Sequence, residues 1–221
     1  MRFSDWLTQL DFSYLITLLL SALAALLCLT VHESAHGLVA NALGDPTAKR
    51  QGRISLNPLR HIDPVGFVML VIAHVGWAKP VPVDARYFKK PRQGMALTAL
   101  AGPVSNLIFG FLALCCFYRV ILRTGGRLDS YGATFFYALT MTNCGLAVFN
   151  LIPIPPLDGS KVLAALLPER LYWKLMRYER YGMPILVVLV FFGLLDGFLH
   201  TGINWVFQWM LDAVTAIFSI F

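Results

Sequence analysis

His32-Glu33-Ser34-Ala35-His36 lies inside a long, mainly apolar run at residues 14–43. Such a run exceeds the roughly 20 residues needed to cross a bilayer as a helix. Three ionisable groups in five positions are costly in hydrocarbon unless they bind something or one another. On a helix, residues four apart share a face, so His32 and His36 can present both imidazoles to a single metal while Glu33 projects beside them. This is the H-E-x-x-H pattern, in which the histidines hold zinc and the glutamate serves as base. A chain built around it must place a polar centre among membrane helices.

Composition supports that constraint. With 57% hydrophobic and 14% charged residues and a mean hydropathy of +0.66, the chain reads as an integral membrane protein. No Ser/Gly-rich linker or charged tail marks a second unit, so residues 1–221 are expected to form one membrane domain. The net charge of +6 does not point to nucleic acid, because the basic residues fall between apolar runs and form no aromatic-interleaved face. Cys28, Cys115, Cys116 and Cys144 lie in apolar runs without C-x-x-C spacing and read as small buried hydrophobes. Ser21–Ala24 resembles a signal-peptidase site, but cleavage there would remove the half-span leading into the histidines.

In chain order, residues 1–11 form an amphipathic lead and 14–43 the first span, stopped at Gly44-Asp45-Pro46. The motif lies toward the C-terminal end of that span, within reach of water. Residues 65–77 are short for a crossing and suggest a re-entrant element, with His74 as a structural histidine. The proline-interrupted alternation at 78–84 suits an edge strand or extended loop able to pair with an unfolded substrate. Residues 94–122 form a second span, with Gly102, Ser105 and Gly110 permitting close helix approach and Asn106 needing a partner. A third span at 133–151 runs into Asn150-Leu151-Ile152-Pro153-Ile154-Pro155-Pro156-Leu157-Asp158-Gly159. Its prolines break the helix where freed backbone groups must be buried in protein or line a wet cavity. A charged aqueous loop is expected at 168–181 and a closing hairpin at 183–221, turning at His200-Thr201-Gly202. Asp196 and Asp212 suit span ends and pairing.

The expected fold is therefore an all-α polytopic membrane protein of about five crossing helices plus a re-entrant or β-like segment, with a three-helix core. All but four of the 18 basic residues (Arg2, Arg119, Arg123 and Arg127 excepted) fall on the side of the motif's loops. The positive-inside rule places that side in the cytoplasm and the N-terminus outside.

Catalytic zinc takes three protein ligands and keeps a fourth position open. Asp158, in the broken stretch at the same membrane face as His36, is the expected third ligand, although its position also suits a turn or helix cap. Glu33 is the expected general base. Asn106 and Asn150 are candidates to hold an extended substrate or an oxyanion.

In content and order, His32-Glu33-Ser34-Ala35-His36, Gly102-Pro103-Val104-Ser105-Asn106 and Asn150 with Pro156-Leu157-Asp158-Gly159 resemble the site-2 protease family of intramembrane zinc metalloproteases. Gly76-Trp77-Ala78-Lys79-Pro80-Val81 resembles its small prokaryotic members, and no PDZ or CBS regulatory domain is expected within residues 1–221. The resemblance covers about residues 14–167. It implies one Zn2+ held by His32, His36 and Asp158, Glu33 as base, and single-span membrane proteins as substrates within the bilayer. Two other readings remain open at this level: a divalent-metal transporter and a non-catalytic scaffold that captures membrane helices. Against transport, only one broken stretch occurs, and no internal repeat.

Overall fold

The structure is a computed structural model, and it describes residues 12–63, 66 and 79–219. The expectations for residues 1–11, for the apolar piece at 65–77 and for His74 fall outside the described residues.

The described residues form an all-α architecture. Helix α1 is Phe12–Ala42 and is followed by a short turn of helix, α2, Thr47–Arg50. Then come α3, Pro91–Arg123, and α4, Tyr131–Asn150, with α5, Asp158–Leu166, after the proline-rich turn. Helices α6, Glu169–Phe191, and α7, Asp196–Phe218, complete the chain.

Three long helices, α1, α3 and α4, are apolar enough to cross a membrane, and they pack on one another as the core. Their inward faces are ridges of residues four apart. On α1 the ridge is Ala24, Cys28, His32, His36 and Ala40, all buried. On α3 it is Gly94, Thr98, Gly102, Asn106, Gly110 and Leu114, again all buried. Small residues at this spacing let backbones approach closely where the hydrophobic effect between helices is weak. The polar members of both ridges are thereby drawn to one level of the bundle. Large apolar residues point outward, among them Leu15, Leu19, Leu23, Leu112 and Leu122, as suits a lipid-facing surface.

The C-terminal third departs from expectation. Residues 168–181 are not a loop: α6 begins at Glu169 and runs through them. Nor do the last helices form a hairpin turning at 200–202, since His200 lies inside α7. The break falls at 192–195, with an 86° bend between residues 179–191 and 196–218. Gly193, at φ +65, ends α6 through paired bonds from Gly193 N–H to Val190 O and Leu194 N–H to Leu189 O. That is a Schellman closure, which requires a left-handed residue. Among the described residues the expected five crossings therefore become three, or four if the bent pair is one span.

Candidate active site

His32 and His36 sit one above the other on the buried ridge of α1, with ring centroids 4.6 Å apart. Asp158 comes from the other end of the sequence, where the proline-rich turn after α4 delivers it into the first turn of α5. The carboxylate does not cap that helix: its Oδ2 lies 3.2 Å from Nε2 of His32 and 3.2 Å from Nε2 of His36. One ligand atom from each of the three falls within 4.8 Å of the others, and all three residues are buried.

These contacts are close without being hydrogen bonds, and Asp158 Oδ2 has no hydrogen-bond partner among the described residues. Two imidazole nitrogens and a carboxylate oxygen, converging but unsatisfied by one another, are a donor set that fits a divalent transition metal with an open coordination position.

Helix α3 sets the orientation of the histidines. Thr98 O lies 2.7 Å from His36 Nδ1, and because a carbonyl can only accept, Nδ1 carries the proton and Nε2 keeps its lone pair toward Asp158. Pro103 has no N–H to give to the helical ladder, which removes the helical donor of the Ala99 carbonyl one residue beyond Thr98. Gly102 is the wall behind both rings. A Cβ there would lie 2.5 Å from His32 Cε1 and 2.6 Å from His36 Cε1.

Glu33 faces a different partner. Its Oε2 accepts from the Val81 N–H at 2.9 Å. Val81 belongs to an extended strap, residues 79–84, held at both ends by buried charges. Arg53 donates to the carbonyls of Lys79 and Pro80 and to that of Arg60. Asp45, at the end of α1, accepts from the Asp84 N–H at 2.7 Å. The strap is extended as expected, yet no strand occurs among the described residues; Pro80 and Pro82 have no N–H to give to a ladder.

A cavity of about 400 Å³ opens over this arrangement. His32, Glu33, His36 and Asp158 line it, together with Val81, Thr98, Asn150, Lys161 and Glu179. Of the two asparagines singled out in the sequence, Asn150 reaches the cavity and donates to Leu146 O at 3.0 Å. Asn106 is fully buried on the α3 ridge and is not among the lining residues, so an oxyanion role for it has no geometric support.

The Peptidase family M50 profile matches residues 120–193, which include Asn150 and Asp158. A Bacillus subtilis protein named "Putative zinc metalloprotease YwhC" is 42% identical over 166 residues, covering 72% of this chain and 74% of that protein. This chain belongs to peptidase family M50. Among further relatives in the same set, the Mycobacterium tuberculosis protein "Putative zinc metalloprotease Rip2" is 30% identical over 189 residues, 83% of this chain and 71% of its own length. "Zinc metalloprotease MJ0392" of Methanocaldococcus jannaschii is 30% identical over 119 residues, 53% of this chain but only 33% of that protein. No solved structure matches the chain. In this M50 member the H-E-x-x-H pattern lies on α1, outside the stretch the profile matches.

Several residues that shape this candidate site are not legible as such in the sequence. Gly102 reads as helix packing, and its service to the imidazoles depends on which helix faces it. Thr98 and Val81 contribute through backbone groups, which leave no side-chain signature. Lys161 was detectable, lying three residues after Asp158 on the same helix.

Proposed function

We propose that this chain is a membrane zinc metalloendopeptidase that hydrolyses peptide bonds in or near the transmembrane segments of single-span membrane proteins. The observation that carries the reading is the convergence of His32, His36 and Asp158, from two distant stretches, under a cavity that also exposes Glu33. In this reading the three residues hold one zinc ion. When bound, zinc supplies Lewis acidity, polarising a peptide carbonyl and bringing the pKa of water to about 7.

The chain's own groups do the rest. Glu33, which lines the cavity, takes a proton from water and returns it to the leaving amine, and the Val81 N–H holds one of its carboxylate oxygens. Thr98 fixes the His36 tautomer. Asn150 lies where it can hold an extended substrate. Peptide groups in an intact helix are shielded by their internal hydrogen bonds, so in this reading a transmembrane substrate extends locally before it is cut.

The basic loops favour an orientation with the site near the cytoplasmic face of the cell membrane and the N-terminus outside. All of residues 1–221 serve in this reading as one membrane domain.

The test compares membrane-protein fragments in cells expressing the wild type and Glu33→Gln, which keeps the metal donors but removes the base. Single-span proteins or their stubs should accumulate uncut only in the variant, with loss of activity of about 10²- to 10⁴-fold on a purified reporter. Chelation should abolish wild-type activity and added zinc should restore it. Identical fragments in both strains, with a difference in cellular zinc instead, would replace the peptidase reading by metal transport.

A further inference from the structure

Two charges in the cavity have no task in the chemistry above. Lys161 follows Asp158 by three residues on α5 and so faces the same way. Glu179 comes from α6, outside the three-helix core. Gly182, one turn further along α6, is where that helix meets the proline-rich turn: a Cβ at 182 would overlap the Pro155 backbone. The face of α6 that docks on the turn is thus the face that carries Glu179 to the cavity.

Lys161 and Glu179 are both partly buried, and neither has an ion-pair or hydrogen-bond partner among the described residues. The other ionisable groups of the wall have a role in the reading above: His32, His36 and Asp158 converge as the metal donors, and Glu33 is bonded to Val81. A half-desolvated charge without a partner is costly, and the cost is recovered when a complementary group arrives.

We propose that Lys161 and Glu179 are specificity-determining residues that receive, respectively, an acidic and a basic side chain flanking the scissile bond of an extended substrate segment. The proposal rests on the peptidase reading. Basic partners for Glu179 are abundant, because membrane proteins concentrate Lys and Arg beside the cytoplasmic ends of their spans.

The experiment uses the full chain, reconstituted with zinc in phosphatidylcholine–phosphatidylglycerol vesicles, and single-span reporter peptides that differ only at the two positions flanking a fixed cleavable segment. The pairs are Ala/Ala, Asp/Lys, Lys/Asp, Asp/Ala and Ala/Lys, the last two also in reversed order. For each protein variant, kcat/KM is read as a ratio to the Ala/Ala reporter. The wild type should favour one of the two acid–base orders by about ten-fold. Lys161→Glu should reverse the preference at the acidic position and Glu179→Lys that at the basic one.

Equal ratios in the wild type, or ratios that neither reversal changes, overturn the proposal while leaving the peptidase reading intact. So does a double exchange of Lys161→Glu with Glu179→Lys that restores wild-type rates on every reporter without charge preference, since the two groups would then merely neutralise one another. A zinc-loaded wild type that cuts none of the reporters overturns both readings.

Discussion

The core helices and the C-terminal pair are held by different means. In the core, α1 and α3 meet along ridges of small and polar residues, and several polar groups on or beside α1 are tied to partners far away in sequence: His36 to Thr98, Glu33 to Val81, Asp45 to Asp84. Helix α7 instead packs mainly by apolar contact, Met210 and Val214 filling a cluster with Leu114 and Cys144, with one weak bond from the Cys144 thiol to the Met210 sulfur. Among its described side chains, helix α6 buries only Gly182 and Leu186. The chemistry thus resides where side chains are fixed by directional bonds, and the periphery closes the cavity and braces the bundle. If this division is right, small changes in the core should be felt in the reaction, and large ones in α7 should be felt in stability.

The severest test adds a single methyl group. Gly102→Ala places a carbon in contact with both imidazoles, which cannot retreat because Asp158 lies across from them. Groups that orient metal ligands are worth 10- to 100-fold in metal affinity or activity. Gly102→Ala should therefore lower zinc occupancy and activity by about 100-fold, measured as bound metal per chain and reporter cleavage. Full zinc content with undiminished cleavage would show that the two ridges part easily, and the contrast with α7 would lose its basis.

A smaller effect is expected at the strap. Val81→Pro removes the backbone N–H that bonds Glu33 while leaving the metal donors untouched. Zinc content should hold and kcat should fall by about ten-fold, the loss of one charge-assisted hydrogen bond of roughly 1.5 kcal/mol. A change confined to KM would instead assign the strap to substrate binding and leave Glu33 positioned by its own helix.

These two positions also mark how far the sequence could be read. Spacing alone puts His32 and His36 on one face, and the prolines before Asp158 announce an irregular stretch at membrane depth. Both inferences follow from rules about helix period and unsatisfied backbone. Thr98 and Val81 act through a carbonyl and an N–H that every residue possesses, so only the fold selects them. The C-terminal misreading has another cause. Residues 169–181 carry many charges, which suggested an aqueous loop, yet they contain no glycine or proline and are mostly good helix formers. Of two candidate glycine breaks, Gly193 adopts a left-handed conformation and ends a helix, while Gly202 lies within α7 against Val148. Nothing local separates the two before α4 is in place.

The mildest effect on the reaction should come from the largest truncation. Met210 is buried against Leu114 and Cys144, and Met210→Ala leaves a cavity between α7 and the core. Truncations of this kind cost on the order of 2 kcal/mol or more, so the thermal midpoint in detergent should drop clearly. Cleavage per folded molecule should stay near the wild-type rate, because α7 contributes no residue to the cavity lining. A loss of activity as large as that of Gly102→Ala, at full zinc content and with the folded fraction corrected for, would mean that α7 governs the alignment of α3 and α4. The division between a reacting core and a bracing periphery would then have to be redrawn around the α3–α4–α7 cluster.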